Sequence, residues 1–242
     1  MIRIFAKEVN GFLNSLIAYI VMGVFLTSMG LLMWVFPESS VLDYGYAEMD
    51  TLFSMSPYVF IFLIPAITMK SFAEEKKMGT LELLFTKPLS DLEIITGKWL
   101  ASFLLVIVAL LPTLVYYFSV YKLGNPAGNI DTSGVIGSYI GLVLLGGVFC
   151  SVGIFASSLS SNQIVAFILA AFLCFILYTG FDSLSGLWEV GASALFVKQF
   201  GILNHYEALS KGLIDTRDLI YFFSVAGMMI LLTKTMIGSR QW

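Results

Sequence analysis

The sequence predicts an all-α membrane protein with six transmembrane helices. Hydrophobic residues make up 58% of its 242 residues and charged residues only 12%, which is about half the charged share of a soluble domain. The charges are spaced unevenly and leave five long runs without any of them. These runs cover residues 9–37, 51–69, 99–121, 132–181 and 219–233. Because a spanning helix needs about 20 residues, the longest run holds two helices and each of the others holds one.

The predicted spans belong to a single transmembrane domain. They cover, in order, residues 11–36, 51–69, 99–121, 134–158, 163–181 and 217–237 of the domain 1–242. Pro57 and Pro65 lie in the second span and Pro112 in the third, where proline removes a helix hydrogen bond and permits a kink. Gly137 and Gly141 have GxxxG spacing, which lets helix backbones approach closely. We therefore expect the fourth helix to pack inside the bundle.

Two segments outside the spans are too apolar for free loops. In residues 1–10, Ile2, Phe5 and Val9 share one face, which predicts an amphipathic helix lying in the membrane interface. A plain cytoplasmic tail is the alternative there. Residues 182–216 contain no uncharged stretch long enough to span a membrane. They predict short external helices that lie in the interface or re-enter it.

Residues 74–98, called the hairpin below, are the densest charged segment and lie between the second and third spans. Leu81, Leu84 and Phe85 are spaced at i, i+3 and i+4, which puts them on one face of a short helix. An apolar face exposed to water is unfavourable, and a groove on a partner protein would cover it. The alternatives are that the face packs against lipid headgroups or the chain's own spans, or that the segment is a solvated loop.

Helix boundaries are signalled at both ends of the chain. Pro88 is expected to end the short helix of the hairpin. Ser90 and Glu93 have the spacing of a capping box, which predicts a new helix leading into the third span. Asp215 or Thr216 is the expected N-cap of the sixth span.

Lysine and arginine orient the spans, because they are enriched in cytoplasmic loops. With the N-terminus in the cytoplasm, nine of the 13 basic residues lie on the inner side and four on the outer side. The inner set is Arg3, Lys7, Lys70, Lys76, Lys77, Lys87, Lys98, Lys234 and Arg240, and the outer set is Lys122, Lys198, Lys211 and Arg217. The hairpin is therefore predicted to be cytoplasmic. The weak net charge of −3 gives no reason to expect a nucleic-acid partner.

The sequence offers no constellation for catalysis, metal binding or ion coupling. Cys150 and Cys174 lie in apolar runs without metal-ligand spacing, and we interpret them as packing residues. His205, beside Tyr206 and Glu207, is interpreted as an interfacial hydrogen-bonding residue, with a metal or catalytic role as the alternative. The first five spans hold no ionisable acid, base or histidine, and no GxxxxGK[ST] phosphate loop is present. If the protein does work, a partner must supply the energy.

The hairpin carries a family resemblance. Its run EEKKMGTLELL, followed by Pro88-Leu89-Ser90 and Gly97-Lys98, resembles the cytoplasmic segment of permeases of the ABC-2 exporter type, and the likeness in topology extends over the whole chain. Longer stretches, among them LIPAITMKSFAEEKKMGTLELLFTKPLS and FPESSVLDYGYAEMDTLF, are similar to the permeases of gliding-motility-associated ABC transporters. The resemblance implies a bacterial inner-membrane permease whose hairpin contains the coupling helix.

The resemblance also implies the partners. These are an ATP-binding cassette subunit that binds the ATP, a second permease copy or paralogue, and an accessory protein in the periplasm. The permease itself would need no cofactor and have no catalytic residue. The residues expected to couple it to the ATPase are Glu74, Glu75, Gly79, Thr80, Leu81, Glu82, Leu84, Phe85 and Pro88. Two other functions remain open: an ATP-driven mechanical component that passes no cargo, and a channel or carrier that works alone.

Overall fold

The computed structural model of the chain describes residues 1–85, 88–186 and 192–239. Six of its helices are long and apolar enough to cross a membrane, which confirms the predicted fold class. They cover Leu16–Trp34, Asp50–Lys77, Asp91–Leu123, Thr132–Leu159, Gln163–Ser185 and Thr216–Gly238. Lys87 and Arg240, which the charge count uses, lie outside the described residues.

These spans and the segments between them divide into shorter helices. In chain order the α-helices of the described residues are α1 (Ile2–Leu13), α2 (Leu16–Trp34), α3 (Val41–Tyr44), α4 (Asp50–Thr68), α5 (Lys70–Lys77), α6 (Thr80–Phe85), α7 (Asp91–Leu110), α8 (Leu114–Leu123), α9 (Thr132–Leu159), α10 (Gln163–Phe175), α11 (Phe181–Ser185), α12 (Ala192–Lys198), α13 (Ile202–Ser210) and α14 (Thr216–Gly238). The second, third and fifth spans are each made of two such helices in sequence.

The first helix, α1, ends later than the sequence pattern suggests. The chain breaks only after Asn14, because the Ser15 hydroxyl accepts the N–H of Ile17 at 3.3 Å and caps the start of α2. Ile4 is buried on α1, whereas Ile2 is 76% exposed. The side of α1 that packs on the protein therefore carries Ile4, and it differs from the apolar face that the sequence predicts, which carries Ile2, Phe5 and Val9.

Two of the three prolines lie near helix breaks, whereas Pro57 lies inside the uninterrupted helix α4. Pro65 lies one turn before the end of α4, and the break at Met69 separates α4 from α5. Pro112 lies in a single 3₁₀ turn, Leu111–Thr113, that joins α7 to α8. Proline cannot donate a backbone hydrogen bond, and the 3₁₀ turn falls where Pro112 lacks this donor.

The fourth span, α9, is the central helix of the bundle, and its small residues allow this position. A Cβ placed on Gly137 would lie 2.7 Å from the carbonyl oxygen of Leu209 in α13, and one on Gly146 would lie 2.7 Å from a methyl group of Val106 in α7. Gly153 makes a similarly close approach to Thr68 in α4. The expectation that this helix packs inside the bundle is confirmed. Gly137 makes this close contact with Leu209 in α13, which belongs to the same chain.

The segment between the fifth and sixth spans forms short helices, as its composition predicts. The fifth span contains a π-helical turn, Ile176–Gly180, and ends with α11, after which α12 and α13 follow. In α13, Ile202, Tyr206 and Leu209 are buried. The hydroxyl of Tyr206 donates to the carbonyl of Phe53 at 2.6 Å. The α13 helix is therefore part of the packed core, while residues 187–191 lie outside the described part.

Candidate functional site

The hairpin begins with a tight turn between two short helices. The first of them, α5, ends at Lys77, and Gly79 then turns the chain with a φ of 68°, a left-handed conformation that glycine adopts without strain. No atom lies within 4 Å of a Cβ placed on Gly79, so the backbone angle rather than the available space requires glycine. The next helix, Thr80–Phe85, ends before Pro88, as predicted.

The return of the hairpin into the third span starts at a capping box. The Ser90 hydroxyl accepts the N–H of Glu93 at 3.3 Å, and the Glu93 carboxylate accepts the N–H of Ser90 at 3.1 Å. This reciprocal pair satisfies two backbone donors at the start of α7. The predicted capping box is therefore confirmed, and it fixes where the chain re-enters the bundle.

The start of α5 is fastened to the end of α9 by Ser157. Its hydroxyl donates to the carbonyl of Met69 at 2.9 Å and accepts two N–H groups from the first turn of α5 at 3.0 and 3.1 Å. One turn later, Lys76 donates to the carbonyl of Ser158. A side chain from another span thus satisfies the backbone at the break between α4 and α5. The first leg of the hairpin is bound to the central helix.

Lys98, on the returning helix α7, is buried to 1% exposure. Its Nζ donates to Glu8 Oε1 at 2.8 Å, to Glu75 Oε1 at 2.9 Å and to the carbonyl of Ser71 at 2.7 Å. It also lies 5.1 Å from the centre of the Phe72 ring, within the range of a cation–π contact. The three hydrogen bonds use every donor of the ammonium group. They join α7 to both α1 and α5.

Glu75 links a second lysine to this cluster. Its Oε1 also accepts Lys7 Nζ at 3.2 Å, and Lys7 Nζ lies 3.8 Å from Glu8 Oε1. Two lysines and two glutamates therefore balance in charge. The other oxygen, Oε2 of Glu75, is buried and has no hydrogen-bond partner among the described residues. An unsatisfied buried acceptor costs about 1–3 kcal/mol, which offsets part of what the two ion pairs of Oε1 contribute.

The apolar face of α6 turns into the protein. Leu81 is 5% exposed and lies in a cluster with Ile4 of α1 and Ile94 of α7, and Leu84 packs against the same cluster. The expectation that a partner must cover this face is corrected for Leu81, because α1 and α7 converge beneath the hairpin and already cover it. The side chain of Phe85 lies outside the described part of the chain.

The solvent-exposed surface of the hairpin is therefore its tip and not its apolar face. The tip, defined here as Lys77, Met78, Gly79, Thr80 and Glu82, is exposed, with Met78 at 60%. Of the predicted coupling residues, Gly79, Thr80, Glu82 and Pro88 are exposed, Glu74, Glu75 and Leu84 are partly buried, and Leu81 is buried. The structure thus separates the predicted set into an outer group and an inner group.

The opposite end of the bundle holds the single histidine in a structural role. His205 Nδ1 lies 2.6 Å from Asp218 Oδ1, and its Nε2 donates to the carbonyl of Gln199 at 2.9 Å. The ring stacks on Tyr221 with centroids 3.9 Å apart. His205 is thus a hydrogen-bonding residue, as predicted. Among the described residues, no three His, Cys, Asp or Glu side chains are grouped as a metal site requires.

A wide cavity of about 760 Å³ also opens at this opposite end. It lies between the segment leading into α4, the link from α8 to α9, and the end of α13. Its charged lining residues are Glu48, Asp50, Asp131 and Lys211. The lining of the cavity is mixed polar and apolar and carries three acidic residues and one basic residue, and the sequence did not indicate it.

Sequence reasoning missed the residues that fasten the hairpin. Glu8 lies 90 positions and Glu75 23 positions from Lys98, and no helical periodicity connects such distant residues. Ser157 lies near the end of the predicted span 134–158, and no pattern in the sequence indicates that its hydroxyl supports another helix. One available signal was charge: Lys98 directly borders an uncharged run, and a buried lysine requires an acidic partner.

These features define a multi-pass helical membrane protein with a hairpin at one end that is hydrogen-bonded to the spans. The model of the ABC-2 family transporter proteins matches residues 38–238, and the chain belongs to this family. Proteins of this family are the membrane permease component of ABC transporters and work with an ATP-binding cassette subunit. None of the curated proteins compared with the chain matches it. The helices α1 and α2 precede the matched residues.

Proposed function

We propose that the chain is the permease of an ATP-driven exporter of the gliding-motility-associated type, similar to GldF. The support is the resemblance of the hairpin and of the stretches around it. In this proposal the protein lies in the bacterial inner membrane with its N-terminus in the cytoplasm. It pairs with a second permease copy or a paralogue, and an accessory periplasmic protein can reach the acidic cavity at the opposite end.

One observation carries the proposed coupling role of the hairpin: an exposed tip stands on two legs that are bound to the spans. Ser157 holds the first leg to α9, and Lys98 holds the second leg to the first. A force applied at the tip would therefore reach the transmembrane helices instead of bending a loose loop. The partner that would apply this force is the ATP-binding cassette subunit, which binds the ATP.

The predicted coupling residues then divide into two roles. Gly79, Thr80, Glu82 and Pro88 are exposed and would contact the ATPase, with Glu82 meeting a basic group on its surface. Leu81, Glu75 and the partly buried Glu74 and Leu84 would hold the tip in place from within. Phe85 is proposed for the docking surface on the sequence pattern alone.

Replacing Met78 with aspartate is expected to release the ATPase without unfolding the permease. Met78 is 60% exposed at the tip, so the new charge costs the free permease little, whereas it would be desolvated in the complex. Truncating or charging a central contact residue commonly costs about 2 kcal/mol or more, which lowers affinity roughly thirtyfold. The measurement is the amount of ATPase that co-purifies with the tagged permease.

The matched control is Tyr46→Asp, which adds the same charge to a 74% exposed residue at the opposite end. This variant should retain the ATPase at the normal stoichiometry. If Met78→Asp and Glu82→Lys both retain it as well, the tip is not the docking surface.

The proposed orientation predicts opposite labelling of the two ends. Cysteine is introduced at Lys77 on the tip or at Phe196 on α12, and both positions are exposed. Cys150 and Cys174 are fully buried, so these native thiols should not react with an impermeant maleimide. In cells with only the outer barrier permeabilised, position 196 should react, and position 77 should react only after the inner membrane is opened. Labelling of position 77 alone would reverse the orientation.

A further inference from the structure

Three helices meet around one buried cation at the hairpin end of the bundle. Lys98 Nζ of α7 reaches Glu8 of α1 at 2.8 Å, and the Ser71 carbonyl and Glu75 of α5 at 2.7 and 2.9 Å. From this geometry we propose that Lys98 is a positioning residue that makes α1, α5 and α7 move as one body. Through Lys98, the N-terminal helix α1 would move together with the two legs of the hairpin.

The packing of α1 supports this grouping. A Cβ on Gly97 would lie 3.2 Å from Ile4 Cβ and 3.3 Å from the carbonyl oxygen of Met1, so α1 lies directly on α7 beside Lys98. The N-terminal amine lies 3.7 Å from Glu93 at the start of the same helix. Toward α2, by contrast, the helix is broken and Ser15 caps a new start. The two-residue break at Asn14 and Ser15 is where α1 would change its angle to α2.

The cluster depends on the charge of Lys98 and not only on its size. Without this ammonium group, Glu8 and Glu75 would face each other with only Lys7 between them. The side chain of Lys7 is 63% exposed, and water screens its interactions. An apolar residue of similar length could fill the space on α7, but it could not hold carboxylates from two other helices in one place.

The inference rests on the proposed docking of an ATPase at the tip and describes what the docked tip would drive. A displacement of α5 would pull Glu75, and through Lys98 it would carry α7 and Glu8 together. The N-terminal helix would then change its angle to α2 at the Ser15 joint. Because Lys98 is buried behind the tip, it is not available to bind the ATPase itself.

The tie between α1 and the hairpin can be tested on the purified permease alone. In Lys98→Met, hydrogen–deuterium exchange of the α1 amides is expected to quicken about tenfold or more, because α1 opens locally without its anchor. Lys7→Gln, at the exposed rim, should change exchange by less than about threefold. Unchanged protection of α1 in Lys98→Met would overturn the proposal.

A second variant covers the case in which Lys98→Met does not fold. Glu8→Leu removes one acceptor at a partly exposed position on α1 and keeps the Lys98–Glu75 pair. Exchange of α1 should quicken about threefold or more while residues 70–85 keep their protection. If α1 exchanges at the wild-type rate, or if the hairpin loosens equally, Lys98 does not join α1 to the hairpin.

The complex with the ATPase separates this proposal from the docking proposal. Glu8→Leu should retain the ATPase at the normal stoichiometry but lose the change in α1 exchange that ATP and vanadate cause in the wild-type complex. A wild-type complex without such a change, or a variant that retains it, would overturn the coupled motion. Loss of the ATPase from Glu8→Leu would instead make α1 a docking element and also overturn the proposal. Release of the ATPase by Met78→Asp is unaffected by any of these outcomes.

Discussion

Replacing Gly137 with alanine is expected to destabilise the bundle, although the change adds a single methyl group. The new Cβ would lie 2.7 Å from the carbonyl oxygen of Leu209 and 2.8 Å from Cα of Gly212. Both are backbone atoms, so relief requires α13 to move away from α9. Overpacking of this kind costs about 1–3 kcal/mol. The measurement is the midpoint of thermal unfolding in detergent, which we expect to fall by several degrees.

The same substitution at Gly23 or Gly227 is the matched control. Both glycines lie inside helices, and no atom lies within 4 Å of a Cβ placed on either of them. Alanine is favoured over glycine in a helix by up to about 1 kcal/mol, so these variants should be neutral or slightly more stable. Equal effects at positions 137 and 23 would mean that α13 does not pack on α9 as described.

Replacing Leu81 with aspartate is expected to prevent the hairpin from folding. Leu81 is 5% exposed among Ile4, Ile94 and other apolar residues. The change removes burial worth about 1.5–3 kcal/mol and places a carboxylate among apolar side chains, and an uncompensated buried charge costs about 3–5 kcal/mol. We expect poor accumulation in the membrane and aggregation on size-exclusion chromatography in detergent.

Two variants serve as controls for this result. Leu81→Met keeps the burial and should behave like the wild type, since swaps of similar volume usually cost less than about 1.5 kcal/mol. Glu82→Ala, at the exposed neighbour, should leave folding intact. A Leu81→Asp protein that is monodisperse and as stable as the wild type would show that Leu81 lies on the surface after all.

Several features could be predicted because they depend on residues close together in sequence. The capping box of Ser90 and Glu93 closes over three residues, and Asp215 caps the sixth span by accepting the N–H of Arg217, two residues on. The six membrane helices follow from the spacing of charges, because a charge inside lipid is costly wherever the chain folds. The hairpin and its turn at Gly79 lie between two such runs.

The direction in which a helix face points could not be predicted in this way. Periodicity places Leu81 and Leu84 on one side of α6. The same pattern is expected whether this side binds a partner protein or packs against other helices of the chain. Ile2 and Ile4 pose the same problem on α1, where the inward residue is Ile4. Only the arrangement of the neighbouring helices decides it.

The sequence by itself determined the number of spans, the caps of the third and sixth spans and the place of the hairpin, because apolar run lengths and short-range hydrogen bonds fix these features locally. Tertiary structure alone decided that Lys98 meets Glu8 and Glu75, and that Ser157 supports the break before α5. A buried charge must have a partner, but the sequence does not say which acid the fold brings to it. That choice arises when α1, α5 and α7 pack together.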